Sequence, residues 1–124
     1  MVDNCFDSNT PIYLQLVQLF TFRIAGGVWH PGDRVMSVRD LAVEFRVNPN
    51  TVQRALAELE RDKLVYTERT SGRYITTDKD IILQARSKLA DQEAADFVRQ
   101  MKKLGYSRDQ WLALVEEILN KEIT

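Results

Sequence analysis

The segment of residues 37–59 constrains the fold of this chain more than any other segment. Ser37 and Asn48 are residue types that cap helix N-termini, and each precedes a stretch whose apolar residues recur at helical spacing. A side-chain oxygen at such a position satisfies a backbone N–H that the first helical turn leaves unpaired. Because Arg46 and Val47 alone connect the two stretches, the segment predicts two short helices joined by a tight turn.

Two short runs rich in β-branched and aromatic residues follow these helices. Residues 65–69 and 73–76 have the composition of strands, and the turn between them at residues 70–72 contains a glycine. Two helices, a tight turn and a β-hairpin in this order are typical of a helix-turn-helix with a wing attached.

A further helix and a short strand are predicted before this segment. Thr10 is a hydroxyl cap, and Pro11 then takes the first helical position, where its missing N–H costs nothing. Helical spacing of apolar residues continues until the glycines at residues 26–27 end the helix. Residues 34–36 have the length of a short strand.

The C-terminal part is predicted to consist of two helices. An apolar stripe extends from about Asp80 to Leu104, Gly105 stops it, and Ser107 with Gln110 starts the last helix. A helix of this length measures about 37 Å and outreaches the domain before it. Since two such helices cannot cover each other's apolar faces, we expect a second copy of the chain to do so. The predicted dimer interface comprises Leu83, Leu89, Ala90, Ala94, Phe97, Met101, Leu104, Trp111, Val115 and Ile118.

The predicted fold class is mainly α with a small β-hairpin wing. We expect a flexible N-terminal tail at residues 1–10, a winged helix-turn-helix domain at residues 11–78 and a two-helix dimerisation region at residues 79–124. The composition, 44% hydrophobic and 28% charged, is that of an ordinary globular protein. No apolar run approaches the ~20 residues of a membrane span, and the start lacks the pattern of a signal peptide. These features predict a cytoplasmic protein without membrane contact.

Metal, cofactor and catalytic sites are not predicted. The single cysteine, Cys5, and the single histidine, His30, are far apart in the sequence and cannot form a Cys/His metal site. The sequence has no nucleophile beside a base and no glycine-rich phosphate loop. We therefore expect neither a cofactor nor enzyme activity, and the sequence identifies no small-molecule effector.

The polar face of the third predicted helix carries the functional prediction. Asn50, Thr51, Gln53 and Arg54 lie off its buried stripe in the first two turns, the end that a recognition helix places in the major groove. Arginine can pair with guanine, and asparagine or glutamine with adenine. A solvated face of an amphipathic helix is the alternative interpretation of the same residues. With a net charge of −1, DNA binding must depend on a local patch.

Other elements of the predicted domain add polar residues to this face. The start of the second helix crosses the phosphate backbone in helix-turn-helix docking, and arginines beside a wing tip suit a narrow minor groove. The alternative for these arginines is a charged hairpin surface. The residues predicted here are Ser37, Arg39, Arg69, Ser71, Gly72 and Arg73.

Several motifs resemble the GntR family of bacterial regulators. They are PIYLQ at residues 11–15, PGDRVMSVRDLA at residues 31–42 and VNPNTVQRAL at residues 47–56, followed by Leu59-Glu60 and Leu64-Val65. The short C-terminal half is similar to that of the YtrA subfamily. The resemblance implies a dimeric repressor of a palindromic operator, often near ABC transporter genes. It places DNA contacts on Arg39, Asn48, Asn50, Thr51, Gln53, Arg54, Ser71 and Gly72.

The chain departs from the family pattern at three positions. Met36 replaces a proline, Lys63 replaces a glycine before Leu64, and Thr70 replaces the first of two wing glycines. Among the DNA contacts that the resemblance implies, those of the wing are therefore the ones that the sequence supports least. A winged helix that binds a partner protein through the same surface is the alternative function, although its polar face argues against it.

Overall fold

The computed structural model describes residues 10–123, which form five helices and a two-stranded antiparallel sheet. These residues fall into two compact units, one ending at Ser87 and one beginning at Lys88. The predicted mainly helical class with a hairpin wing is confirmed. The elements are α1 (Ile12–Ala25), α2 (Val38–Phe45), α3 (Pro49–Arg61), β1 (Val65–Glu68), β2 (Gly72–Ile75), α4 (Lys79–Lys103) and α5 (Arg108–Ile123).

Helix α1 begins one residue later than the sequence predicts. Pro11 occupies the N-cap position with an extended ψ of 138°, and no side chain caps the helix there. The predicted hydroxyl cap by Thr10 is wrong, because the extended Pro11 moves Thr10 out of the capping position. The backbone carbonyl of Thr10 instead accepts a hydrogen bond from Gln15 Nε2 at 2.8 Å. The rest of the predicted tail, residues 1–9, lies outside the described residues.

Helices α2 and α3 form the predicted pair with a tight turn. Ser37 Oγ accepts a hydrogen bond from the backbone N–H of Asp40 at 3.1 Å, and Asn48 Oδ1 accepts one from that of Asn50 at 2.8 Å. Arg46 ends α2 in the left-handed conformation, with φ of 55°. Both predicted caps are confirmed, and they fix where α2 and α3 start.

The core of the first unit forms where α1, α2 and α3 meet. The ring of Phe20 lies 5.2 Å from that of Trp29 and 5.6 Å from that of Phe45, centroid to centroid. Arg23 stacks over Phe45 at 4.9 Å and covers one side of this aromatic cluster. The apolar stripe of α3 is completely buried against these helices and consists of Val52, Ala55, Leu56 and Leu59.

The wing is an antiparallel hairpin with Val65 opposite Ile75 and Glu68 opposite Gly72. Its turn consists of residues 69–71, one position before the predicted turn. Val65 and Ile75 are buried, so the base of the hairpin belongs to the core while its far end projects from it.

The strand predicted at residues 34–36 is reduced to a single bridge between Arg34 and Tyr74. Val35 N–H donates to Arg73 O at 2.8 Å, and Ile75 N–H donates to Asp33 O at 2.8 Å. These bonds add a short third edge to the hairpin and fix the wing against the segment before α2.

The start of α4 belongs to the winged unit. Asp78 caps α4 by accepting backbone hydrogen bonds from its first turn. Ile82 is buried in the core, and Arg86 Nε donates to Ala25 O at 2.9 Å, at the end of α1. The compact unit therefore extends to Ser87, whereas the sequence predicts a domain boundary after residue 78.

The second unit contains the remainder of α4 and α5. Gly105, with φ of 79°, follows the end of α4. Ser107 N–H donates to Gln110 Oε1 at 2.8 Å, and Gln110 N–H donates to Ser107 Oγ at 3.4 Å. These reciprocal bonds are a capping box, which confirms the predicted start of the last helix.

The predicted dimer-interface residues differ in their exposure within the single chain. Two are buried, Leu89 and Met101, and two are half-buried, Trp111 and Val115. The exposed ones are Leu83, Ala90, Ala94, Phe97, Leu104 and Ile118.

Lys63 adopts a backbone conformation that favours glycine. Its φ is 64°, in the left-handed region between the end of α3 and β1, and its N–H donates to Glu60 O at 3.0 Å. A Cβ in this region clashes with the backbone, at a cost of about 1–2 kcal/mol. The strain explains why the related family has glycine at this position.

We predict that Lys63→Gly stabilises the chain by about 1 kcal/mol, since removing the Cβ relieves more strain than the added freedom of the unfolded glycine costs. Urea unfolding measures this change. Lys63→Ala is the matched control, because it removes the charge and keeps the Cβ, and it should give no such gain. A Lys63→Gly protein no more stable than the Lys63→Ala protein would contradict the strain argument.

Candidate nucleic-acid interface

The amino-terminal half of α3 presents polar side chains to solvent. Asn50, Gln53 and Arg54 are exposed and Thr51 is half-buried, while the opposite side of the helix is in the core. The structure therefore brings the predicted residues together on one face. Their exposure follows from the burial of the apolar stripe, because 3.6 residues per turn place the intervening residues on the other side.

Asn48 combines two properties at the start of this helix. Its Oδ1 accepts the N–H of Asn50, so the side chain is held in one orientation. Its amide nitrogen keeps two donors, and the residue is exposed. The N–H groups of Asn50, Thr51 and Val52 all donate to Asn48, so the partial positive charge of the helix N-terminus is what favours an anion here.

Arg54 is held by an aromatic ring that the sequence analysis did not include in the site. Its guanidinium carbon lies 3.7 Å from the ring centroid of Tyr13, in the first turn of α1. This cation–π contact restricts the rotamers of Arg54 and leaves the edge of its guanidinium group available for hydrogen bonds. The motif around Tyr13 belongs to the family resemblance, which is the sequence signal that could have identified it.

The start of α2 contributes two of the predicted residues. Ser37 Oγ accepts the N–H of Asp40, and its own hydroxyl proton remains free to donate. Arg39 lies in the first turn of α2 and is exposed. Both are exposed, and their contact with a phosphate stays a prediction.

An open cleft of about 760 Å³ lies where α2, α3 and the wing meet. Ser37, Gln53, Gly72 and Arg73 line it, so predicted residues from all three elements share one surface. The turn residues Arg69 and Ser71 are exposed at the far end of the hairpin.

Arg73 differs from the other predicted residues because it has an intramolecular partner. Its Nε donates to Glu60 Oε1 at 2.9 Å, and Thr67 Oγ1 donates to the same oxygen at 2.8 Å. The hydrogen bond from Arg73 lowers the pKa of Glu60, and the bond from Thr67 lowers it further against the opposing effect of burial. This cluster ties the wing to α3, and a contact of Arg73 with DNA stays a prediction.

Two other properties of residues 10–123 bear on the class of the protein. No helix among them is long and apolar enough to cross a membrane. Within the same residues, no three His, Cys, Asp or Glu side chains are grouped closely enough to hold a metal ion.

A helix-turn-helix with an exposed polar third helix and an adjoining hairpin defines the class of winged-helix DNA-binding transcription regulators. The profile of the family described as "Bacterial regulatory proteins, gntR family" matches residues 12–75. The chain belongs to this gntR family. Its members are DNA-binding regulators and not enzymes, which agrees with the prediction that the chain has no catalytic activity.

Relatives extend the likeness beyond the winged unit. The HTH-type regulator YhcF of Bacillus subtilis is 39% identical over 111 residues, which cover 90% of this chain and 92% of YhcF. The HTH-type transcriptional repressor YtrA of the same organism is 37% identical over 97 residues, covering 78% of this chain and 70% of YtrA. A GntR family regulator from Listeria monocytogenes, whose structure is solved, has 41% sequence identity to this chain. The two structures superpose with a TM-score of 0.78 over 90% of this chain and 98% of the Listeria chain. The predicted resemblance to YtrA-like regulators is confirmed.

We predict that Glu60→Gln destabilises the chain at neutral pH by up to about 1 kcal/mol, a value reduced for the partial exposure of the pair. The folded pKa of Glu60 is lowered, so its stabilising contribution is complete above the ordinary value of 4.5 and is lost as pH falls through the lowered pKa. The difference between Glu60→Gln and wild type should therefore shrink as pH falls below 4.5 and disappear once the pH lies below the lowered pKa. Urea unfolding at pH 7 and at low pH measures it.

Glu58→Gln is the matched control, because Glu58 forms a surface ion pair with Arg61 on the same helix, 3.2 Å apart. It should change stability little at either pH. Equal stability of wild type and Glu60→Gln at pH 7, or a deficit that persists unchanged in acid, would contradict the role of this carboxylate.

Proposed function

We propose that this chain is a sequence-specific transcription repressor that binds a palindromic operator as a homodimer in the cytoplasm. The observation that supports the proposal most is the exposed polar end of α3, where Asn50, Gln53 and Arg54 surround a capped helix N-terminus. Such an end enters the major groove and reads base edges in other helix-turn-helix proteins.

Asn50, Gln53 and Arg54 carry hydrogen-bond donors and acceptors that match those on the edges of DNA bases. Arg54 presents a planar fork of donors that suits the O6 and N7 acceptors of guanine, and its stack on Tyr13 reduces the entropy lost on binding. Gln53 and Asn50 each carry a donor and an acceptor, the pair that adenine requires. We assign base contacts to these residues, and phosphate contacts to Ser37 and Arg39 at the start of α2.

The homodimer is supported by apolar side chains that the single chain leaves exposed in its second unit. Leu104 is 68% exposed, and Leu112, Ile118 and Leu119 are each at least half exposed. Leaving this much apolar surface in water is unfavourable, at about 25 cal/mol per Å². A second copy would cover it and bring two α3 helices to the spacing of successive major grooves, about 34–36 Å.

Transporter genes are the targets we propose, as the resemblance to YtrA-type regulators implies. An inverted repeat in the promoter of a neighbouring transporter operon, bound by the purified protein, would support this assignment. Binding to such a repeat no tighter than to random DNA would contradict it.

A protein-binding winged helix is the second candidate function. It would use the same face of α3 for a partner protein, and it predicts no salt-dependent affinity for DNA. The polar character of Asn50, Gln53 and Arg54 favours DNA over a protein surface, because the centres of protein interfaces are depleted of charge.

We predict that Arg54→Ala weakens binding to the operator, selected beforehand from a random-sequence library, by about 1–3 kcal/mol and relaxes base preference at one position of each half-site. Fluorescence anisotropy with the selected duplex and a scrambled duplex measures both effects. Arg61→Ala is the matched control, since Arg61 is an exposed arginine at the opposite end of α3. Wild-type affinity and wild-type preference in Arg54→Ala would remove Arg54 from the interface.

We predict that Ile118→Glu dissociates the dimer and weakens operator binding by at least about tenfold, because a buried carboxylate at the interface would lack a partner. Sedimentation equilibrium and anisotropy on the same samples measure the two effects. Asn120→Glu adds the same charge at an exposed polar position on α5 and should leave both unchanged. A wild-type chain that is monomeric alone and on the duplex would contradict the homodimer.

A further inference from the structure

Arg34 is a basic residue beside the wing that the sequence analysis did not include among the DNA contacts. It precedes α2 and forms the single bridge to Tyr74 of β2, so its backbone is part of the edge of the sheet. Arg34 is exposed and is among the residues that line the cleft with Ser37 and Gln53. It therefore lies at the edge where the wing meets the segment before α2.

The guanidinium group of Arg34 lies against Gly72, where the wing turn ends. A Cβ at Gly72 would be 3.2 Å from Nε, 3.3 Å from Nη2 and 3.7 Å from Cζ of Arg34. The distances from such a Cβ to Nε and Nη2 are shorter than ordinary van der Waals contact. The absence of a side chain at Gly72 thus leaves the space that the guanidinium group occupies.

The register of the hairpin separates Arg34 from Arg73. Directly opposed residues in an antiparallel pair extend to the same face, so Arg73 and Thr67 share one face and contact Glu60 of α3 there. Arg34 and Tyr74 are opposed to each other and belong to the other face. Arg73 is thereby held against α3, while the guanidinium group of Arg34 extends along the hairpin to Gly72.

Arg34 also has no charge partner among residues 10–123. Every ion pair described there involves other residues, and no side-chain hydrogen bond of Arg34 occurs within the same range. An exposed and unpaired guanidinium group next to a glycine backbone carries a full positive charge and several free donors. This is the chemistry that binds a phosphate, often through two hydrogen bonds.

We propose that Arg34 binds a phosphate of the DNA backbone beside the wing, next to Gly72. The φ of Gly72 is 116°, a conformation that favours glycine at this position in any case. The inference rests on the proposed DNA-binding function. The contact is with a phosphate because the guanidinium group lies at the first residue of β2, beside the turn of residues 69–71. When the turn approaches the minor groove, the sugar-phosphate backbone runs along that side of the hairpin.

The test compares wild type and Arg34→Ala on the selected operator duplex and on a scrambled duplex over a range of salt concentrations. We expect about 5- to 30-fold weaker binding of Arg34→Ala to both duplexes, together with a salt slope smaller by about one, because one phosphate contact is lost. Unchanged affinity and slope would overturn the proposal. A loss confined to the operator would also overturn it, because that result would indicate a base contact.

A matched control and an unfolding measurement separate a direct role from a structural one. Arg61→Ala removes the same charge from an exposed position at the far end of α3 and should leave the salt slope unchanged. Thermal unfolding of each variant verifies that the wing remains folded.

The result for wild type distinguishes a failure of the proposed DNA-binding function from a failure of the Arg34 assignment. If wild type binds no duplex in a salt-dependent manner, the proposed DNA-binding function itself fails. If wild type binds and Arg34→Ala binds equally well with the same slope, the function stands and the assignment of Arg34 alone is wrong.

Discussion

Burial of the apolar stripe of α3 against α1 and α2 is the interaction on which the rest of the structure depends. Val52, Leu56 and Leu59 are completely buried, and burial of such side chains contributes about 1.5–3 kcal/mol each. This packing fixes the rotation of α3 about its own axis, and it thereby decides which side chains remain in solvent. Gln53 and Arg54 are exposed for the same reason that their neighbours are buried.

The surface around α3 is organised by contacts within the winged unit. Tyr13 restricts Arg54 from α1, and Glu60 holds Arg73 and the wing against the last turns of α3. The bridge from Arg34 to Tyr74 attaches the segment before α2 to the same hairpin. Three chain segments distant in sequence are thus fixed around one cleft. Because this surface is already ordered, the protein loses little conformational entropy when a ligand binds there.

The helices and their caps could be predicted from the sequence because they depend on local chemistry. Ser37, Asn48 and the Ser107–Gln110 pair cap as expected, since each bonds to a backbone group within three residues. Contacts between distant segments could not be predicted. No spacing rule indicates that Arg73 pairs with Glu60, that Tyr13 stacks on Arg54 or that Arg34 reaches Gly72, because these depend on the tertiary packing. The Thr10 cap failed for a local reason, the extended backbone of Pro11.

We infer that the amino-terminal end of α3 reads base edges in the major groove. Operator duplexes in which 7-deazapurines replace every purine of the half-sites test it most directly, since they lack the N7 acceptors of the major groove and keep the minor groove and the phosphates intact. We expect binding of wild type to the substituted operator to fall toward the affinity for scrambled DNA, because each bidentate contact with a purine loses one of its two hydrogen bonds. Full operator affinity for the substituted duplex would contradict base recognition by α3.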